Sequence, residues 1–256
     1  MSFSKPKFGI ADVREQRTGS REVQSTFMKS HTENLQQQIE KQLRAGGVYR
    51  YTANELAKTA VKIGETRPEK IDAICKAFDE LAKVTPKLMW AVCRLLEDSA
   101  IAEFFVKETE VATNALKEML KAKNEGRIKE DGWMMLNALT DAERVTELFI
   151  KHTQAFARIA NTAKYPSSAF KALANPPIAE LFDKASDKVV EAFENIAQAT
   201  GEEAREVFGA LQDEKARMVT EMFIQYAEDK VALDALLKEV KAWGQEKVAQ
   251  ATPAKP

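Results

Sequence analysis

Apolar side chains recur along most of this chain every three or four residues, which is the spacing of one face of an α-helix. The clearest run is 71–82, where apolar residues fall at i, i+3, i+4 and i+7 almost without exception. Only 10 glycines and 8 prolines occur in 256 residues, so few residues interrupt regular structure. Alanine, glutamate, lysine and leucine dominate, and these are strong helix formers. The pattern predicts an all-α fold, a multi-helix bundle of about eight or nine helices.

The most apolar stretch of the chain is 85–106. Thr85 and Pro86 are typical of a helix start, and residues 88–93 are apolar around the whole circumference of the helix that follows. Such a helix is typical of a buried core, and the alternative is a groove for a partner. Asp98 is placed to cap the next helix. Charged residues interrupt the stretch well before the roughly 20 apolar residues that a bilayer needs, so no membrane span is predicted.

A threonine followed three residues later by a glutamate recurs at 52–55, 66–69, 140–143 and 200–203. In a capping box, each of these two side chains accepts a hydrogen bond from the other residue's backbone N–H group. The four matches therefore predict four helix starts, and they carry no chemistry.

The pattern Ala-Phe-x-x-[Leu/Ile]-Ala also recurs, at 77–82, 155–160, 169–174 and 192–197. The separations between the copies are irregular, which argues against a solenoid of fixed period. We interpret the pattern as a packing stripe, in which a phenylalanine and a branched residue lie beside small alanines.

Two proline-containing segments, 164–168 and 175–177, are the clearest breaks in the chain. Proline and small polar residues favour turns, so we place a boundary between two subdomains at about residue 166. The predicted organisation is a flexible N-terminal arm (1–24), an N-terminal helical bundle (25–165), a C-terminal helical subdomain (166–250) and a disordered tail (251–256).

The last helix is predicted to be long, from about residue 201 to residue 250, or on the order of 70 Å. Its later half carries a heptad pattern in which Asp229 is the misfit. The pattern fits a coiled-coil seam with another chain, and it also fits a long helix docked on its own bundle, which we favour slightly. The seam positions are Val219, Met222, Tyr226, Leu233, Leu236, Val240 and Trp243.

The formal net charge is only −1, so charge gives no global argument for a nucleic-acid or membrane partner. Residues 1–50 hold nine basic against five acidic side chains, whereas residues 201–250 hold seven against eleven. This asymmetry fits solvated faces of opposite sign, or electrostatic docking. Cys75 and Cys93 lie on apolar helical faces, as reduced thiols in a cytoplasmic protein do. The first ten residues lack the apolar segment of a signal peptide.

The sequence shows no catalytic, cofactor-binding or metal-binding constellation. The histidines are His31 and His152, and His152 lies between Phe149 and Phe156 on a predicted helix. We interpret it as a core histidine rather than a metal ligand. The chain has no glycine-rich phosphate loop and no Cys/His cluster with zinc spacing. We therefore predict that the protein is not an enzyme and has no cofactor.

Basic and aromatic side chains are interleaved in one place, and such interleaving is a feature of nucleic-acid interfaces. The cluster is small, so we interpret it as solvated helix faces and do not expect a nucleic-acid partner. Its members are Lys41, Arg44, Tyr49, Arg50, Tyr51, Lys58 and Lys62.

The function that these patterns favour is a non-catalytic protein-interaction module, a scaffold or adaptor subunit of a larger cytoplasmic assembly. Apolar residues on the arm and a narrow stripe on a glutamine-rich first helix would bind the partner protein. They are Phe3, Phe8, Ile10, Met28, Leu35, Ile39 and Leu43. One alternative is an amphipathic protein that coats a lipid or polymer granule or a membrane surface. A third is an all-α enzyme whose residues the sequence does not nominate.

Overall fold

The computed structural model describes residues 21–128 and 130–251, with side chains described from residue 33 onward except at 64–66, 248 and 250–251. Within this part of the chain every regular element is helical, which confirms the all-α prediction. The α-helices are α1 (Arg21–Ala45), α2 (Arg50–Thr66), α3 (Ile71–Val84), α4 (Met89–Leu95), α5 (Ser99–Lys107), α6 (Thr109–Asn124), α7 (Gly132–Asn137), α8 (Glu143–Lys151), α9 (Thr153–Thr162), α10 (Pro166–Ala172), α11 (Pro176–Thr200), α12 (Ala204–Gln212), α13 (Arg217–Ala227) and α14 (Leu233–Ala251). Short 3-10 turns occupy Pro68–Lys70, Pro86–Leu88 and Gly201–Glu203.

The prediction of eight or nine helices is wrong, because several predicted helices are interrupted at one or a few residues. The long C-terminal helix is also wrong, since the 201–250 region forms α12, α13 and α14. Asp213 ends α12 by accepting a hydrogen bond from the Lys215 amide, 3.0 Å away. Asp229, the misfit of the heptad, follows α13 in the left-handed conformation, with φ of 63°. The longest helices, α1 and α11, have 25 residues each.

The predicted coiled-coil seam is therefore divided between two helices. The pattern persists across the break because α13 and α14 each turn one apolar face toward the same core. Val219, Leu236 and Val240 are buried there. The partly buried seam residues that pack against this core are Met222, Tyr226, Leu233 and Trp243.

Of the four capping-box predictions, one places a helix start correctly and three do not. Thr200 directly precedes the 3-10 turn that leads into α12, although its hydroxyl donates to the carbonyl oxygen of Ile196 instead of capping that turn. Thr52 lies inside α2, Thr66 ends α2, and Thr140 lies three residues before α8. Asp98 is the cap that the sequence predicted correctly. Its carboxylate accepts hydrogen bonds from the first free amides of α5, both at 3.0 Å.

A four-times repeated helical unit accounts for most of the chain after residue 88. In each unit a short helix is followed by a helix that begins with the pattern [Ile/Val]-[Ala/Thr]-Glu-x-Phe. The copies are Ile101–Phe105, Val145–Phe149, Ile178–Phe182 and Val219–Phe223. We call the units 1 (α4–α6), 2 (α7–α9), 3 (α10–α11) and 4 (α12–α13). The first and last residues of every copy are at most 1% exposed, and the glutamates are exposed.

The units stack side by side. Helix α5 packs on α8 and α6 on α9, while α8 and α9 both pack on α11, and α11 packs on α13. The N-terminal helices α1, α2 and α3 pack together and join the stack where α3 meets α6. One continuous hydrophobic cluster extends from Ile39 to Val240, with members on both sides of residue 166. The division into two subdomains at that residue stays a prediction.

Phenylalanine rings connect neighbouring units. Phe104 of unit 1 meets Phe149 of unit 2 edge to face, with ring centroids 6.1 Å apart. Phe156 of unit 2 meets Phe182 of unit 3 in the same way at 5.6 Å. Aromatic pairs of this geometry stabilise the fold by more than the burial of their apolar area alone. They therefore set the spacing between units.

A buried amide also connects units 3 and 4. The side chain of Asn175 donates to the carbonyl oxygen of Leu211 at 2.9 Å and to the hydroxyl of Thr220 at 3.1 Å. All of this lies in the core, where an unpaired polar group is costly.

We expect Asn175→Ala to lower the free energy of unfolding by about 1–3 kcal/mol, because it leaves a buried carbonyl and a buried hydroxyl without this donor. Urea denaturation followed by circular dichroism measures the change. Asn195→Ala, at an exposed position of α11, is the matched control and should not destabilise the protein. Equal stability of the Asn175 variant and the wild type would contradict this role.

Candidate functional site

Units 1, 2 and 3 share a break in the helix after the repeated motif. Glu108 separates α5 from α6 with φ −119° and ψ 48°, and His152 separates α8 from α9 with φ −123° and ψ 40°. Ala185 interrupts α11 with φ −150° and ψ 56°. None of the three is glycine or proline, so packing of the flanking helices must hold the breaks in place. We call these three positions the helix junctions.

Threonine side chains stabilise two of the junctions. Thr153 donates its hydroxyl to the carbonyl oxygen of Phe149 at 2.8 Å, and Thr109 donates to that of Val106 at 3.2 Å. Both threonines are buried. A helix break leaves carbonyl groups without their usual amide partners, and these hydroxyls supply a donor instead. Ser186 stands at the equivalent position of unit 3.

The helix junctions of units 1 and 2 line a groove of about 420 Å³, together with Ser186, which directly follows the junction of unit 3. Unit 1 contributes Glu108, unit 2 contributes His152 and Arg158, and unit 3 contributes Ser186 and Asp187. We call this the junction groove. Three segments that are far apart in the sequence meet here because equivalent parts of stacked units necessarily become neighbours.

A smaller hollow of about 310 Å³ adjoins the junction groove between α8 and α11, and Lys151 lines both spaces. The Lys151 ammonium lies 2.6 Å from a carboxylate oxygen of Asp183, and His152 Nε2 lies 2.9 Å from the same oxygen. The hydrogen bond from Lys151, followed by that from His152, holds the pKa of Asp183 below its ordinary value. Asp183 is therefore ionised and ties α8 to α11.

A second ion-pair group lies at the other side of the junction groove. The Arg158 guanidinium is 2.9 Å from a carboxylate oxygen of Asp187 and 3.4 Å from Glu194. The side chains of Arg158 and Asp187 are 48% and 91% exposed, so water screens this pair and it contributes little to stability.

The junction groove carries charges of both signs and an apolar floor that includes Phe104 and Ile150. His152 packs its ring against Phe182, with centroids 5.3 Å apart. The sequence-based interpretation of His152 as a packed residue agrees with this contact, although its place at a helix junction was not predicted.

Among the described residues, no group of three or more His, Cys, Asp or Glu side chains could hold a metal ion. In the same part of the chain, no helix is both long and apolar enough to cross a membrane. The chain matches no protein-family model, no curated protein and no solved structure. The geometry of the molecule therefore carries the functional argument.

The structure describes the side chains of only three of the seven sequence-predicted partner-binding residues. Phe3, Phe8 and Ile10 lie outside the described residues, and Met28 lies in the part of α1 whose side chains are not described. The remaining three face the protein's own core. Leu35 packs partly against it, and Ile39 and Leu43 are buried in it.

Sequence reasoning missed the junction groove, although a signal was present. The second residue after the repeated motif is a lysine in units 1, 2 and 3, and a residue with a hydroxyl group follows two positions after that lysine. The segments are Lys107–Thr109, Lys151–Thr153 and Lys184–Ser186. Aligning the chain on this motif would have placed the three junctions at equivalent positions.

The two cysteines of the described chain, Cys75 and Cys93, are free and half-buried. Burial, with a smaller effect of the Asp72 charge, raises the pKa of the Cys75 thiol to about 11. Burial, followed by the charges of Glu97 and Glu55, raises the pKa of Cys93 to about 11. The thiolate is the reactive form, so neither thiol is poised for chemistry at neutral pH.

We expect both thiols of the folded protein to react with Ellman's reagent at pH 8 about a hundredfold more slowly than an unperturbed thiol, because the thiolate fraction is that much smaller. The rate should rise about tenfold per pH unit as the pH approaches the raised pKa. Absorbance of the released thiolate measures it, and guanidinium-unfolded protein is the control. Rapid reaction of either cysteine in the folded state at pH 8 would contradict this account.

Proposed function

We propose that this protein is a non-catalytic helical interaction module, a scaffold or adaptor that holds a segment of a partner protein in the junction groove. The observation that carries the proposal is the side-by-side arrangement of three equivalent helix junctions, which opens a groove across units 1, 2 and 3. Stacked helical units commonly bind partners along an extended surface of this kind.

The charges of the junction groove support a peptide ligand with both signs of charge. The side chains of Lys151 and Arg158 are 60% and 48% exposed, and each holds a carboxylate that a peptide carboxylate could replace. Exchange of one screened ion pair for another costs little, so a partner segment can enter without unfolding the site. Apolar contacts with the floor would supply the affinity.

The N-terminal arm stays a candidate for a second partner contact through Phe3, Phe8 and Ile10. The stripe on α1 fits this role less well, because Ile39 and Leu43 are 5% and 2% exposed. Deleting residues 1–45 would therefore remove part of the core, whereas deleting residues 1–20 tests the arm alone.

The alternative of a surface-coating protein finds less support. Coating helices must present an apolar face to the surface that they cover. Here the helices direct those faces into a shared core, and few large apolar side chains of the described chain are exposed. They are Tyr49, Tyr51, Trp90, Val111, Trp133 and Met218. The third alternative, an all-α enzyme, has no specific observation in its favour.

The test is affinity capture from the source cell with the wild type and with a Lys151→Gln/Arg158→Gln double variant. We expect the wild type to retain a stoichiometric protein partner and the double variant to lose it. The reason is that the variant lacks both cations of the groove that would bind carboxylates of the partner protein. Lys238→Gln/Lys241→Gln on α14 removes equal charge away from the groove and should retain the partner. Thermal unfolding of all three proteins confirms that folding is unchanged.

Retention of the partner by the groove variant would place binding elsewhere on the molecule. Capture of lipid alone, or of no stoichiometric protein, would contradict the interaction-module proposal itself.

A further inference from the structure

The exposed aromatic side chains of the described chain are not scattered. The four aromatic residues among the six exposed large apolar side chains all lie between residues 49 and 133, and they are Tyr49, Tyr51, Trp90 and Trp133. Tyr49 and Tyr51 are 63% and 79% exposed, which is far more than a tyrosine needs to reach water with its hydroxyl. None of the four lines the junction groove.

Helices α2 and α4, which carry Tyr51 and Trp90, pack on each other. Gly47 lies against Pro86, and Glu55 is close enough to Cys93 for its charge to act on that thiol. The two helices therefore run side by side in the same direction, which places Tyr51 level with Trp90. Trp133, from α7, continues the row, since its ring centroid lies 6.4 Å from that of Trp90.

Basic side chains accompany these rings. Residues 40–62 hold five basic side chains against two acidic, and residues 85–98 hold two against two. Three of the four acidic residues are engaged within the protein, because Glu55 pairs with Lys58 at 2.8 Å, Glu40 lies 3.8 Å from Arg44, and Asp98 caps α5. Glu97 is exposed. Arg50, Lys87 and Arg94 are exposed and have no ion-pair partner among the residues that the structure describes. We call this surface, with Tyr49, Tyr51, Trp90 and Trp133, the aromatic–basic face.

Such a face has a specific chemical preference. Free cations attract a polyanion, and exposed rings offer planes on which unpaired bases stack. A duplex hides its bases from such planes, whereas a single strand presents them. Stacking also requires no sequence preference, because every base has an aromatic face.

We propose that the aromatic–basic face binds single-stranded nucleic acid, with Tyr51, Trp90 and Trp133 stacking on bases and Arg50, Lys87 and Arg94 contacting phosphates. The sequence alone argued against a nucleic-acid partner because it showed only the cluster around residue 50. The fold adds α4 and α7, which contribute two tryptophans and two more cations to that cluster.

The experiment titrates the full-length protein into fluorescein-labelled oligo(dT) of 20 nucleotides at 50 mM and at 200 mM KCl, with anisotropy and tryptophan fluorescence as readouts. We expect saturable binding that weakens with salt and quenches the tryptophans. Tyr51→Ala should weaken binding about tenfold, the size of a lost base-stacking contact. Arg50→Gln/Arg94→Gln should reduce the slope of log K against log salt by about 1.4, since each phosphate contact on a single strand contributes about 0.7.

Two matched controls lie on α13, away from this face. Met218→Ala removes a side chain that is 56% exposed, and Arg217→Gln removes an exposed cation. Both should bind the oligonucleotide as the wild type does.

Inorganic polyphosphate, which has no bases, separates stacking from simple charge attraction. It should compete poorly, and a 20-base-pair duplex should bind more weakly than the single strand. The proposal is overturned if the wild type does not bind oligo(dT) at 50 mM KCl. It is overturned equally if polyphosphate competes as well as oligo(dT) while Tyr51→Ala leaves the affinity unchanged.

Discussion

The contact of phenylalanine rings between stacked units is the interaction on which the rest of this structure depends. Phe156 is fully buried and meets Phe149, Phe170 and Phe182, with centroid distances of 5.5, 4.9 and 5.6 Å. These rings belong to units 2 and 3, and burial of each contributes roughly 1.5–3 kcal/mol. Because the rings fix how the units sit against each other, they also fix the helix junctions beside them. Packing in the core therefore determines where the junction groove forms.

The part of the fold that local spacing determines was predictable, and the part that tertiary packing determines was not. Helical periodicity and the Asp98 cap are local signals, and both were read correctly. The breaks at Glu108, His152 and Ala185 carry no glycine or proline, so the sequence pattern predicts a continuous helix across each of them. The heptad pattern at 219–243 wrongly predicted one long helix for the same reason. Two short helices that each bury an apolar face in one core show an uninterrupted pattern.

The candidate sites were hidden because each joins residues that are distant in the sequence. His152 and Asp187 share the junction groove only because their units stack. Trp90 was predicted to be buried because its neighbours are apolar around the whole helix, yet it is 39% exposed. Helix α4 has only seven residues, and its outward side meets Trp133 rather than another layer. An exposed indole in an apolar run can be recognised only when the layers around it are known.

The most direct test of the stacked-unit account is hydrogen exchange, followed by mass spectrometry, on the wild type and a Phe156→Leu variant. Shortening this side chain leaves unfilled space where three rings of units 2 and 3 meet. The account predicts lower protection in α8, α10 and α11 together with α9, while α14 keeps the protection of the wild type. Loss of protection in α9 alone, or in no helix, would contradict the claim that phenylalanine contacts hold the units together.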